Sequence, residues 1–118
     1  MNSMTCLQYV IRGMNDKVFD FAKSKNGKLL VAAYKESIFC REDQVEEFLI
    51  AYNSYFLVAA AMQLKGLPKT PKAVVEFMTS DEFDELAYEV RAVVTNNLST
   101  LMSCLSRKQK RRLEALFS

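Results

Sequence analysis

The sequence contains no histidine. That absence removes the commonest general base near neutral pH, the Ser-His and Cys-His nucleophile pairs, and the most frequent zinc ligand. Glycine is nearly as scarce. Gly13, Gly27 and Gly66 stand too far apart to write either a phosphate-cradling P-loop or a dinucleotide fingerprint. The cysteines Cys6, Cys40 and Cys104 have no C-x-x-C spacing, which excludes a Cys-only zinc site. Odd in number and each set among apolar neighbours, they suit buried free thiols of a reducing compartment better than a disulfide framework. The start of the sequence shows no basic region followed by an apolar run, and it lacks the glycine that myristoylation needs. A cytoplasmic setting without a secretory leader is therefore expected. Neither an internal repeat nor a low-complexity segment is present. Together these absences point away from catalysis, from a metal and from a cofactor.

What remains is a chain of 118 residues, half of them apolar and a quarter charged, which is the composition of one globular domain able to bury a core. The net charge of +2 is too small for a protein that coats nucleic acid over its whole surface. The charge is polarised instead. Residues 1–106 carry 11 Lys/Arg against 13 Asp/Glu, a net of −2, whereas residues 107–118 carry 5 against Glu114 alone, a net of +4.

The strongest structural signal is the stretch 48–64, FLIAYNSYFLVAAAMQL, in which Asn53, Ser54 and Gln63 are the polar residues. A helix apolar on nearly every side needs surrounding cover. At about 1.5 Å per residue it spans about 25 Å, short of a bilayer core, so no membrane insertion is expected. Glu42, Asp43, Glu46 and Glu47 precede it and suit the positive end of a helix dipole. The spacing predicts a central helix over 41–65, ended by Gly66 and followed by a stiff Leu67-Pro68-Lys69-Thr70-Pro71 connector. Thr70 then caps a short helix opened by Pro71 and running to about Met78. Ser80 caps a long helix over 80–105, whose Phe83, Leu86, Val90, Val93, Val94, Leu98, Leu101 and Leu105 recur at three- and four-residue steps. Asn96 and Asn97 mark the place for a bend or break within it.

Residues 5–36 support two readings. As helices, 3–13 and 15–27 each begin with a capping residue and end with glycine. As strands, Leu7, Tyr9 and Ile11 alternate with polar neighbours and Asn26-Gly27 is a hairpin signal. The expected fold is mainly α, a small helical bundle around the central helix with the long helix 80–105 and a short basic C-terminal helix. The alternative is α+β, with an N-terminal antiparallel β-hairpin or meander over 5–36 packed on the C-terminal helices.

Two constellations invite chemistry, and both have a plainer explanation. The acidic pairs Asp81 with Glu85, Glu85 with Glu89, Glu42 with Glu46 and Asp43 with Glu47 fall four apart, yet each cluster opens a helix, where unpaired amides favour negative charge. Tyr52, Tyr55 and Phe56 could stack a flat ligand, but their helical spacing is that of a core stripe.

The carboxyl-terminal residues carry the clearest outward signal. With Ser106 as a cap, Leu105, Leu113, Leu116 and Phe117 fall within an arc of roughly 120°, opposite Arg107, Lys108, Lys110, Arg111 and Arg112. The apolar arc can dock on the bundle while the basic arc faces out. The expectation is a small non-catalytic regulatory or adaptor protein that acts by macromolecular binding, with those five cations placed to meet nucleic acid phosphates. The alternative is a protein-protein adaptor or inhibitor that binds a partner, acidic or apolar, through a helix face such as Leu113, Leu116 and Phe117. A homodimer is expected from the apolar surplus of residues 48–64.

Overall fold

The computed structural model describes residues 3–14, 17–36 and 41–117. They form eight helices: α1 (Ser3–Gly13), α2 (Lys17–Lys23), α3 (Lys25–Lys35), α4 (Arg41–Leu64), α5 (Pro71–Met78), α6 (Asp81–Asn96), α7 (Leu98–Ser103) and α8 (Arg107–Leu116). Among the described residues there is no strand, so the fold is mainly α and the β-hairpin alternative is set aside. The expected cap Asn15 and the thiol of Cys40 lie outside the described residues, as do the side chains of Glu42 and Asp43.

The central helix stands where the apolar run places it. In α4, Phe48, Leu49, Asn53 and Leu57 are fully buried, with α1, α3, α6 and α8 packed around them. Gly66, at φ 67°, closes the helix: its N–H bonds to the Gln63 carbonyl at 3.0 Å and the Leu67 N–H to Met62 at 3.0 Å. This left-handed turn satisfies two carbonyls the helix would leave bare. The cover comes from the chain itself, and the large apolar side chains left exposed on α4 are Tyr55 and Leu64. An apolar surplus on α4 therefore gives no reason for a homodimer. No helix of the described residues is long and apolar enough to cross a membrane.

Three hydroxyls cap as the sequence indicates. Thr70 accepts from Ala73 N–H, Ser80 from Phe83 N–H and Ser106 from Gln109 N–H, and the Gln109 side chain returns the bond to Ser106 N–H. Such reciprocal pairing satisfies two orphan donors at once.

One break falls where the sequence marks it, and one boundary differs from expectation. The helix over 80–105 is divided into α6 and α7 at Asn97, the place expected for a bend or break, where the side-chain amide donates to the Val93 carbonyl at 2.9 Å beside the backbone N–H at 3.0 Å. The apolar face survives the break, since Leu86, Val90, Val93 and Val94 on one side and Leu101 and Leu105 on the other are all buried. The expected helix 15–27 is likewise divided. Ser24 accepts from Gly27 N–H at 3.1 Å and starts α3, which places Asn26-Gly27 inside a first helical turn where a hairpin turn was the rival reading. Gly27 is no terminator. It is buried where α3 crosses α2, and a Cβ there would run into the Phe21 carbonyl.

Candidate anion-binding face

The candidate site is built on α8. Leu113 is fully buried, and Phe117 sets its ring edge-on to Phe48 at 5.7 Å and tilted to Tyr34 at 6.5 Å. These contacts hold the helix rotation, so Arg107, Lys108, Lys110, Arg111 and Arg112 all emerge exposed, as the helical wheel requires. The ion pairs between described residues, Lys65 with Glu82 and Arg91 with Glu47, involve none of the five. Arg112 makes a contact inside the fold: its guanidinium lies 4.9 Å from the centre of the Phe19 ring. A cation over an aromatic face at an exposed site is stabilised by about 0.5–1 kcal/mol.

That contact opens onto a groove of about 330 Å³ between α2, α3 and α8. Its floor is apolar, made by Phe19, Ala22, Val31, Ala32 and Leu116. Its rim is cationic, made by Lys23, Lys28, Lys35 and Arg112, and among the described residues no carboxylate lines it. Four like charges around a low-dielectric floor focus a positive potential there.

Lys23, Lys28 and Lys35 are functional candidates that the sequence reading missed. Lys28 and Lys35 are seven apart, two turns of a helix, and so share a side of α3. That signal could be used only by a reader already certain that residues 28–34 are helical. The three residues expected at a protein interface separate in the structure: Leu113 and Phe117 are buried in the chain's own core, and Leu116 alone reaches the surface, half-buried at the groove.

The remaining candidates are placed as follows. Tyr52 is buried and its hydroxyl donates to the Gly13 carbonyl at 2.6 Å, tying α4 to the end of α1. Phe21 packs at 5.6 Å from Phe48 and Tyr52 and 5.7 Å from Tyr55; of the expected core stripe Tyr52 is buried, Phe56 is half-buried beside Gly13 and Tyr55 is exposed, so the stripe holds in part. Burial, with Asp20 nearby, pushes the Tyr52 hydroxyl up to about 12. Burial, reinforced by Glu89, pushes the Cys6 thiol up to about 11. Cys104 departs from the expectation of buried thiols. At the end of α7 it is exposed, turned away from the side that buries Leu101 and Leu105.

The carboxylates of α6 border a second groove of about 510 Å³, floored by Ala61, Phe77 and Leu86. Glu82, Asp84, Glu85, Tyr88 and Glu89 edge it. Among the described residues no three His, Cys, Asp or Glu side chains gather closely enough to hold a metal ion. Asn53 and Ser54 both bond within α4, to the Leu49 carbonyl at 2.8 Å and the Ile50 carbonyl at 2.7 Å.

The fold and the site define a small all-helical bundle with a cation-rimmed groove. Compared with protein-family models, with curated proteins and with solved structures, the chain matches none.

Proposed function

We propose that this chain is a small non-catalytic regulatory or adaptor protein of the cytoplasm, acting by macromolecular binding, and that its cationic face receives the phosphates of nucleic acid. The observation that carries the reading is a convergence. Of the five exposed cations of α8, Arg112 shares a groove with Lys23, Lys28 and Lys35 of α2 and α3, no described carboxylate lines that groove, and the other four continue the positive charge along the helix. Phosphate recognition needs positive charge and reach more than a shaped pocket, and an exposed helix face supplies both.

Salt dependence tests it. Wild-type protein should retard duplex DNA or RNA, with affinity falling steeply as salt rises. Replacing Arg107, Lys108 and Arg111 with Gln should flatten the logarithmic salt slope by roughly 0.9 for each phosphate of duplex DNA that is no longer neutralised. Wild-type protein that shows no salt-dependent retardation of either nucleic acid overturns the reading.

The apolar floor favours a second reading, a protein-protein adaptor or inhibitor, because a phosphate backbone has no use for Phe19, Val31 and Leu116. An acidic segment with one apolar face would use floor and rim together. Leu116→Asp should then abolish capture of the protein partner, while glutamine substitutions at Arg107, Lys108 and Arg111 should leave it intact; the reverse pattern favours nucleic acid.

A further inference from the structure

The chain carries a matching key for its own cationic groove. On α6, Tyr88 is 76 % exposed, the most open large apolar side chain among the described residues. Asp81, Asp84 and Glu85 are exposed as well, and at 100° per residue they fall with Tyr88 in an arc of about 100°. An exposed aromatic ring beside three carboxylates is the complement of an apolar floor ringed by four cations. The sign of charge matches, and each side pairs an apolar part with a charged one.

We propose that α6 of one copy docks in the groove between α2, α3 and α8 of a second copy. Tyr88 enters over Phe19 and Val31, while Asp84 and Glu85 face Lys28, Lys35 and Arg112. A tyrosine buries about 150–250 Å² and keeps its hydroxyl at the wet edge, which is why this residue so often anchors interfaces. In this fold α6 packs on α1, α4, α5 and α7, whereas the groove lies between α2, α3 and α8, so the key and the groove are separate surfaces of one chain. The contact is between unlike surfaces, and it either runs on from copy to copy or is exchanged reciprocally between two. It differs from self-association through α4, which the chain covers itself. It also goes beyond the nucleic-acid reading, whose test turns on Arg107, Lys108 and Arg111, none of which lines the groove.

Charge reversal on each side tests the pairing by sedimentation equilibrium of the full chain. Wild-type protein should associate at high micromolar concentration and dissociate as salt is raised. Asp84→Lys/Glu85→Lys and Lys28→Glu/Lys35→Glu should each be monomeric alone, and their equimolar mixture should associate again, because positions 84 and 85 of one copy then face positions 28 and 35 of the other with opposite charge in both pairings. Tyr88→Ala, a single exposed change, should weaken association about thirtyfold or more with its helicity and melting temperature unchanged. Arg107→Gln/Lys108→Gln/Arg111→Gln should still associate while binding nucleic acid with the flattened salt slope, which separates this inference from the proposed function. Wild-type protein that stays monomeric, an equimolar mixture of folded reversal variants that stays monomeric, or Tyr88→Ala that associates like wild type overturns it.

Discussion

Asn53 shows at the scale of one residue how a polar group is tolerated inside an apolar helix, and at what cost. Its amide donates to Leu49, but its Oδ1 is buried with no hydrogen-bond partner among the described residues. An orphaned buried acceptor costs about 1–3 kcal/mol, and replacing a polar group by an apolar one of similar shape removes that cost. Asn53→Leu should therefore stabilise the protein by about 1 kcal/mol, read as a higher urea midpoint at unchanged slope. A lower midpoint would show that the amide contributes more than it costs. The same packing explains the two described thiols. Cys6 is buried, so its reactive thiolate is scarce at neutral pH, whereas Cys104 lies open to solvent.

At the scale of elements, the crossing of α2 and α3 decides the shape of the groove, and Gly27 decides the crossing. Helix propensity alone predicts that Gly27→Ala stabilises by about 0.5–1 kcal/mol. The tertiary structure predicts the opposite, because the added Cβ would press on the Phe21 carbonyl, a backbone atom that also accepts the Ser24 N–H at 2.9 Å. Forcing extra volume into a closed contact costs about 1–3 kcal/mol, which outweighs the propensity gain. Gly27→Ala should lower the melting temperature and displace Lys28 and Lys35 from the groove rim. Thermal melting of this one variant separates the two effects. Caps behave differently: Ser80, Thr70 and Ser106 each act on a neighbour three residues away, which is why helix starts were legible in the sequence at those points.

Across the whole molecule, the absence of histidine and the burial of two weak acids shape the response to pH. Without histidine, no unperturbed side chain titrates between about pH 5 and 8, so stability should be flat there. On the alkaline side, Cys6 and Tyr52 are held neutral in the fold, with pKa values raised from 9.0 to about 11 and from 10.0 to about 12. The unfolded chain ionises first, so the contribution of both groups is fully present below about pH 9 and is lost as pH rises toward 12. Melting temperature should fall across that window. Tyr52→Phe should make the fall shallower while lowering stability at neutral pH, because the bond to Gly13 is gone. A melting temperature that does not change between about pH 9 and about pH 11 would contradict this account.

Local physics made much of the fold readable. The apolar run of α4, the Gly66 stop, the Thr70, Ser80 and Ser106 caps, and the split between the basic and apolar sides of α8 all depend on residues within one or two turns of each other. Such interactions hold in any compact context, so sequence spacing alone determined them. Residues 5–36 were different, because alternation and helical spacing both fit them, and only packing against α4 and α6 selects the helices that bury Cys6, Val10 and Met14 four residues apart. The groove was invisible for the same reason. Lys23, Lys28 and Lys35 are far along the chain from Arg112, and what unites them is the seating of α8 through Leu113 and Phe117. Sequence thus determined where the charge lies along the chain. Tertiary structure alone decided which charges meet, because burial of apolar side chains fixes how helices sit against each other, and positions remote in sequence become neighbours only through that seating.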